Sequence, residues 1–108
     1  MSKRAEYLEL QSIDSSTFSG SYQALGSALA DSVVLIKCVN NSTVDVTIST
    51  DAVTDHDFIP AGSFFLYDVR TNHGVNNDLR FQRGTQFYVK AAAGTGSVYL
   101  ASIKERGQ

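Results

Sequence analysis

The sequence has no tryptophan, and it has one cysteine and one proline. A single thiol, Cys38, closes no disulfide within the chain, and cysteine-based zinc sites need several such ligands. Cys38 lies in the apolar run VVLIKCVNN, where it reads as a small buried hydrophobe. An excess of positive charge is missing as well. Nine Lys and Arg stand against eleven Asp and Glu, for a formal net charge of −2, and the cations are scattered rather than clustered. No basic field is therefore available to draw in nucleic acid or an anionic membrane. No segment approaches the roughly 20 apolar residues of a membrane span. The amino-terminal MSKRAEYLELQS holds no apolar core of the length a signal peptide needs. These absences lead to the expectation of a chain made and folded in a cytoplasm, with neither nucleic acid nor membrane as a partner.

Catalytic and metal signatures are equally scarce. The richest polar stretch is TDAVTDHDF, in which Asp51, Asp55 and Asp57 surround His56. A calcium loop of the EF-hand type needs a glycine at its sixth position and a closing Glu, and neither is found from any of these aspartates. A zinc site would need more than His56, and the other candidates are only His73 and Cys38. The stretch is expected to be a solvated loop. No GxSxG elbow occurs. AGTGS, residues 93–97, lacks the lysine and the helix of a phosphate loop and reads as a hairpin turn. Asp68, the one aspartate embedded in an apolar run, is expected to cap a turn or pair with Arg70 or a neighbouring strand. The expectation is a non-enzymatic protein with no catalytic residue, cofactor or bound metal.

What the chain does contain is a series of short strands. SVVLIKCV, residues 32–39, is apolar and β-branched, and NNS at 40–42 follows it as a turn. STVDVTIS alternates, with Val44, Val46 and Ile48 on one side and Thr43, Asp45 and Thr47 on the other. The short spacing makes a hairpin of these two runs the simplest pairing. PAG at 60–62 breaks the chain before SFFLYDV, residues 63–69. TNHGVNND, 71–78, reads as a polar loop, LRF as a short strand, and RGT at 83–85 as a turn. QFYVKA (86–91), SVYLASI (97–103) and, upstream, FSGSYQAL (18–25) complete the set. Turn signals every 8–12 residues define an all-β fold: a single antiparallel β-sandwich or jelly-roll-like domain over residues 16–104. Residues 1–15 form a short N-terminal arm, helical or extended, and 105–108 a C-terminal tail.

Several of these strands are apolar on both faces. Phe64 and Leu66 oppose Phe65, Tyr67 and Val69; Val98 and Leu100 oppose Tyr99, Ala101 and Ile103; Val33, Leu35 and Val39 oppose Val34, Ile36 and Cys38. A small sandwich has one interior, so the second faces need a cover, either the terminal segments or another chain. Six Phe and five Tyr suit a core with tyrosine at contact surfaces. Tyr22, Phe65, Tyr67, Tyr88 and Tyr99 are the candidate subunit-interface residues. Alternation places Phe87 in the core and Tyr88 outside.

The order of turns and strands resembles the small β-sandwich virion structural proteins of tailed bacteriophages. The resemblance is carried by FSGSYQALGSAL, IKCVNNSTVDVTIS, DFIPAGSFFLYDVRTN and GTQFYVKAAAGTGSVYLASI, from about Phe18 to Ile103. It departs from the pattern at TDAVTDHD, where a glycine is expected in the turn. It implies a protein that assembles in symmetric homo-oligomeric copies in the virion and contacts other virion proteins, such as the major capsid protein or neck and tail proteins. A capsid-decorating or cementing subunit is the first such role, and a neck or tail component the second. No functional residue carries over, because the implied function is packing. A carbohydrate-binding module is the alternative from another class, with exposed Tyr and Phe lining a groove beside the aspartate cluster.

Overall fold

A computed structural model describes residues 4–68 and 81–106. The loop expected at 71–78, the possible Asp68–Arg70 pair, Val69 and His73 lie outside the described residues or side chains.

The chain is all-β, with two antiparallel sheets packed on each other. Its strands are β1 (Arg4–Tyr7), β2 (Gln11–Asp14), β3 (Gln23–Ala24), β4 (Leu35–Ser42), β5 (Val46–Ser49), β6 (Asp57–Ile59), β7 (Phe64–Asp68), β8 (Tyr88–Lys90) and β9 (Gly96–Arg106). One sheet runs β1-β9-β4-β7, with β2 also paired to β9; the other runs β3-β8-β5-β6. The eleven-residue β9 is the spine of the larger sheet. It has β4 along one side and β1 and β2 in succession along the other.

The core is built by strand alternation, as the sequence pattern requires. Ile36, Cys38, Val98 and Leu100 face inward from the five-stranded sheet, and Val46, Ile48, Ile59 and Val89 from the four-stranded one. Leu25, Val33 and Phe87 fill the ends. Phe87 is buried and Tyr88 half-buried, as alternation places them. Burial pushes the Cys38 thiol up to about 12, with the Asp57 charge as a smaller cause, so at neutral pH it is an inert packing group.

Two expectations about connectivity change. Residues 40–42 are not a hairpin turn: β4 continues through Ser42, and the chain crosses to the other sheet over residues 43–45. β4 pairs with β7 and β9, while β5 pairs with β6 and β8. The reason is Asn40, which is fully buried. Its Nδ2 donates to the carbonyls of Val44 (2.8 Å) and Ile59 (2.9 Å), and its Oδ1 accepts from the Ser42 hydroxyl (2.5 Å). A polar side chain that looks like a turn former in sequence thus ties the two sheets together inside the sandwich.

The second change concerns residues 1–15. Residues 4–14 are extended, and they form strands on the edge of the sheet rather than a detached arm. Leu8 and Ile13 pack against the core, and the Leu8 amide donates to the Ser102 carbonyl. RAEY and QSID are too short and too polar to stand out as strands, and QSID packs on the core through Ile13 alone. Likewise β6 is only three residues long, too short to carry a period.

Candidate functional site

The outer face of the five-stranded sheet is the main surface feature. Antiparallel partners share a face, so the registers define rows across the sheet. Phe64, Val39, Tyr99 and Ser12 form one row; Leu66, Lys37 and Ala101 the next; Leu35, Ile103 and Tyr7 the third. Tyr7, Phe64 and Leu66 are 74%, 62% and 56% exposed. Lys37 lies in the middle row, and the register sets Asp68 opposite Leu35 at the end of the third. A shallow depression of about 200 Å³ surrounds Lys37, lined by Tyr7, Leu35, Leu66, Ala101 and Ile103. Fully covering an aromatic side chain buries roughly 150–250 Å². The three exposed side chains with their half-buried neighbours make an apolar patch of several hundred Å², as large as the largest patch on a typical monomer.

The five candidate interface residues do not share one surface. Tyr99 lies in the patch just described. Phe65 and Tyr67 face the other way, toward the gap between the sheets. There Phe65, Tyr67, Phe81 and Phe87 form a chain of edge-to-face rings with centroid separations of 5.6, 5.8 and 6.0 Å. These rings line a cleft of about 290 Å³, together with Ile36, Ile48 and, at its polar end, Thr50, His56 and Asp57. Phe65 is half-buried against the core, whereas Tyr67 stays 51% exposed at the end of the strand. Sequence alternation identifies the two faces of β7. It does not say which one the other sheet covers, and the outward pair is Phe64 and Leu66.

Tyr88 belongs to the four-stranded sheet, and Tyr22 immediately precedes its strand β3. Tyr88 lies opposite Ala24 and Ser49. The Tyr22 hydroxyl donates to Asp55, Lys90 Nζ reaches the same carboxylate at 3.1 Å, and the ammonium also lies over the Tyr22 ring, 4.7 Å from its centroid. Burial and then the hydrogen bond to Asp55 push the Tyr22 phenol up to about 12. The same hydrogen bond, and then Lys90, hold Asp55 below the usual carboxylate range. These three groups satisfy one another, and the shallow groove beside them is lined by Thr47, Asp55, His56, Asp57 and Phe58.

Asp51 and Asp57 of the aspartate-rich loop accept from backbone amides of the loop itself. Asp51 accepts from the amides of Val53 and Thr54, each at 2.8 Å, and from the Ser49 hydroxyl. The two amides, then the hydroxyl, hold its carboxyl far below the ordinary range. Asp57 accepts from the Phe58 amide. His56 Nδ1 accepts from the Thr50 amide, which leaves Nε2 to carry the proton of the neutral ring. No group of three or more His, Cys, Asp or Glu among the described residues is placed to hold a metal ion.

This loop also shows what happens where a glycine is expected and absent. Ala52 has φ 62°, the only non-glycine residue with positive φ among those described. The left-handed region costs an L-residue roughly 1–2 kcal/mol, partly offset by the greater freedom glycine has when unfolded. Ala52→Gly is expected to stabilise the fold by about 0.5–1 kcal/mol, read as a higher urea midpoint. An unchanged or lower midpoint would show that the turn relaxes around alanine without strain.

No family model, curated protein or solved structure matches this chain. The fold and the surface define it as an all-β sandwich with one largely apolar sheet face open.

Proposed function

We propose that this protein is a non-enzymatic structural subunit of a tailed-bacteriophage virion. Its role is to decorate or cement the capsid: it assembles in symmetric copies and bridges neighbouring virion subunits. The observation that carries this reading is the outer face of the five-stranded sheet, where Tyr7, Leu35, Val39, Phe64, Leu66, Tyr99 and Ile103 surround Lys37, with Asp68 at the margin by register. The resemblance of the strand and turn order to virion β-sandwich proteins supplies the setting. Weak contacts suffice for such a subunit, because repetition over a shell multiplies them. Apolar burial returns about 25 cal/mol per Å², so covering several hundred Å² offsets much of the cost of docking one rigid sandwich on a neighbour.

Light scattering on the purified chain tests the assembly. The mass is expected to be a multiple of 11.7 kDa, and Tyr7→Ser with Tyr99→Ser should loosen the assembly while circular dichroism stays that of a folded sandwich. A wild-type chain that remains monomeric at high micromolar concentration would remove the physical basis of the reading. Gentle disassembly of virions, with identification of the subassembly that retains this chain, then separates a capsid position from a neck or tail position.

A further inference from the structure

The strand edges differ in how well they are protected against pairing. An open edge offers a row of unpaired N–H and C=O groups, and natural sheets blunt it with shortness, charge or proline. In the four-stranded sheet, β3 has two residues, and β6 has three and ends against Pro60. On one side of the larger sheet, β1 carries Arg4 and Glu6, and β2 is the polar QSID. On the other side, β7 is the last strand among the described residues, and its one charged residue, Asp68, stands at its very end. From Phe64 to Tyr67 it is FFLY, without charge, proline or glycine.

Its backbone polarity can be assigned. The Asn40 amide donates to the Ser63 carbonyl at 2.8 Å, so Ser63 points toward β4. Backbone groups alternate in direction along an antiparallel strand. Phe65 and Tyr67 therefore also point toward β4, while the N–H and C=O of Phe64 and Leu66 point away from it.

We propose that β7 pairs antiparallel with β7 of a second copy of this chain, about a two-fold axis at Leu66, joining two five-stranded sheets into one. This rests on the assembly reading above and names its contact. A two-fold axis sets like against like; about Leu66 it sets Asp68 opposite the partner's Phe64, so the one charge of the strand has no like charge directly across from it. The pairing places the Leu66 backbone groups of the two copies in mutual hydrogen bonds and Phe65 opposite the partner's Tyr67, an aromatic cross-strand pair. Phe64, Leu66 and Tyr67 keep more than half of their surface open. Covered from both copies, they and the strand edge bury on the order of 1,000 Å², the lower end of a specific interface. The two apolar outer faces then lie on the same side of one continuous sheet, doubling the surface offered to a neighbour.

Leu66→Cys on the full chain, under mild oxidation, tests the axis. Directly opposed, hydrogen-bonded residues sit about 5.5 Å apart at Cα, within disulfide reach. Most of the chain should run at twice its mass on non-reducing electrophoresis. Lys37→Cys, on the same face one strand inward, should not cross-link, nor should the wild type, whose Cys38 is buried. Leu66→Lys, at an exposed position, should halve the scattering mass without loss of the folded dichroism spectrum. If the wild type assembles, yet Leu66→Cys does not cross-link and Leu66→Lys leaves the mass unchanged, the edge pairing is overturned and the assembly reading stands. A monomeric wild type overturns both.

Discussion

Replacing Asn40 with alanine is expected to lower the stability of the fold by about 2–4 kcal/mol. The side chain is fully buried and bridges the sheets by donating to the carbonyls of Val44 and Ile59. Alanine leaves the buried Ile59 carbonyl without this donor, strips one donor from Val44, and opens a void the size of an amide. A buried acceptor left unsatisfied costs roughly 1–3 kcal/mol, far more than the net value of the bond that was made. Asn40→Asp should be worse at neutral pH, because it replaces the donating NH₂ with a carboxylate oxygen facing two carbonyl oxygens. Urea denaturation followed by circular dichroism gives both values. A loss below about 1 kcal/mol for alanine would mean that water replaces the amide and that the sheets are not held together at this point.

Gly96→Ala is expected to cost about 2–5 kcal/mol, combining backbone strain with overpacking. Gly96 opens β9 at φ 99°, opposite Ser42. A Cβ there would overlap the Asn41 carbonyl oxygen and stand 2.9 Å from the Ser42 Cα, and these are backbone atoms of β4 that no rotamer change can move. Gly62 supplies the comparison. It also has positive φ, 76°, but nothing lies within 4 Å of the added atom, so Gly62→Ala should cost only about 1 kcal/mol of conformational strain. The difference between the two variants, measured in the same denaturation assay, isolates the steric part. Equal losses would show that the β4–β9 junction yields and that the clash contributes nothing.

Both positions lie where the chain moves between sheets, which is also where the sequence is hardest to read. NNS has the composition of a solvated turn, and nothing local distinguishes it from a strand end whose first residue, Asn40, is buried among carbonyls. AGTG is legible as a turn. Which of its glycines cannot be replaced depends on the approach of β4, more than fifty residues away in sequence. The same holds for the surface. The two-sided character of SFFLYDV is evident from alternation, and so is the placement of Phe64 and Leu66 on one face. The choice of outward face rests on where the second sheet lies.

The sequence by itself determined the all-β class, the main strands and the inward residues of β5, β8 and β9, because a period of two with turn residues between runs is a local signal. It also determined that some apolar surface would exceed what one core can cover. Tertiary structure decided the rest: that β4 and β5 part into different sheets, that residues 4–14 complete the edge of one of them, and that Tyr22, Phe65, Tyr67, Tyr88 and Tyr99 divide among three surfaces. The physical reason is range. Side-chain alternation is set within a strand, whereas sheet membership and burial are set by hydrogen bonds and packing between segments far apart in the chain.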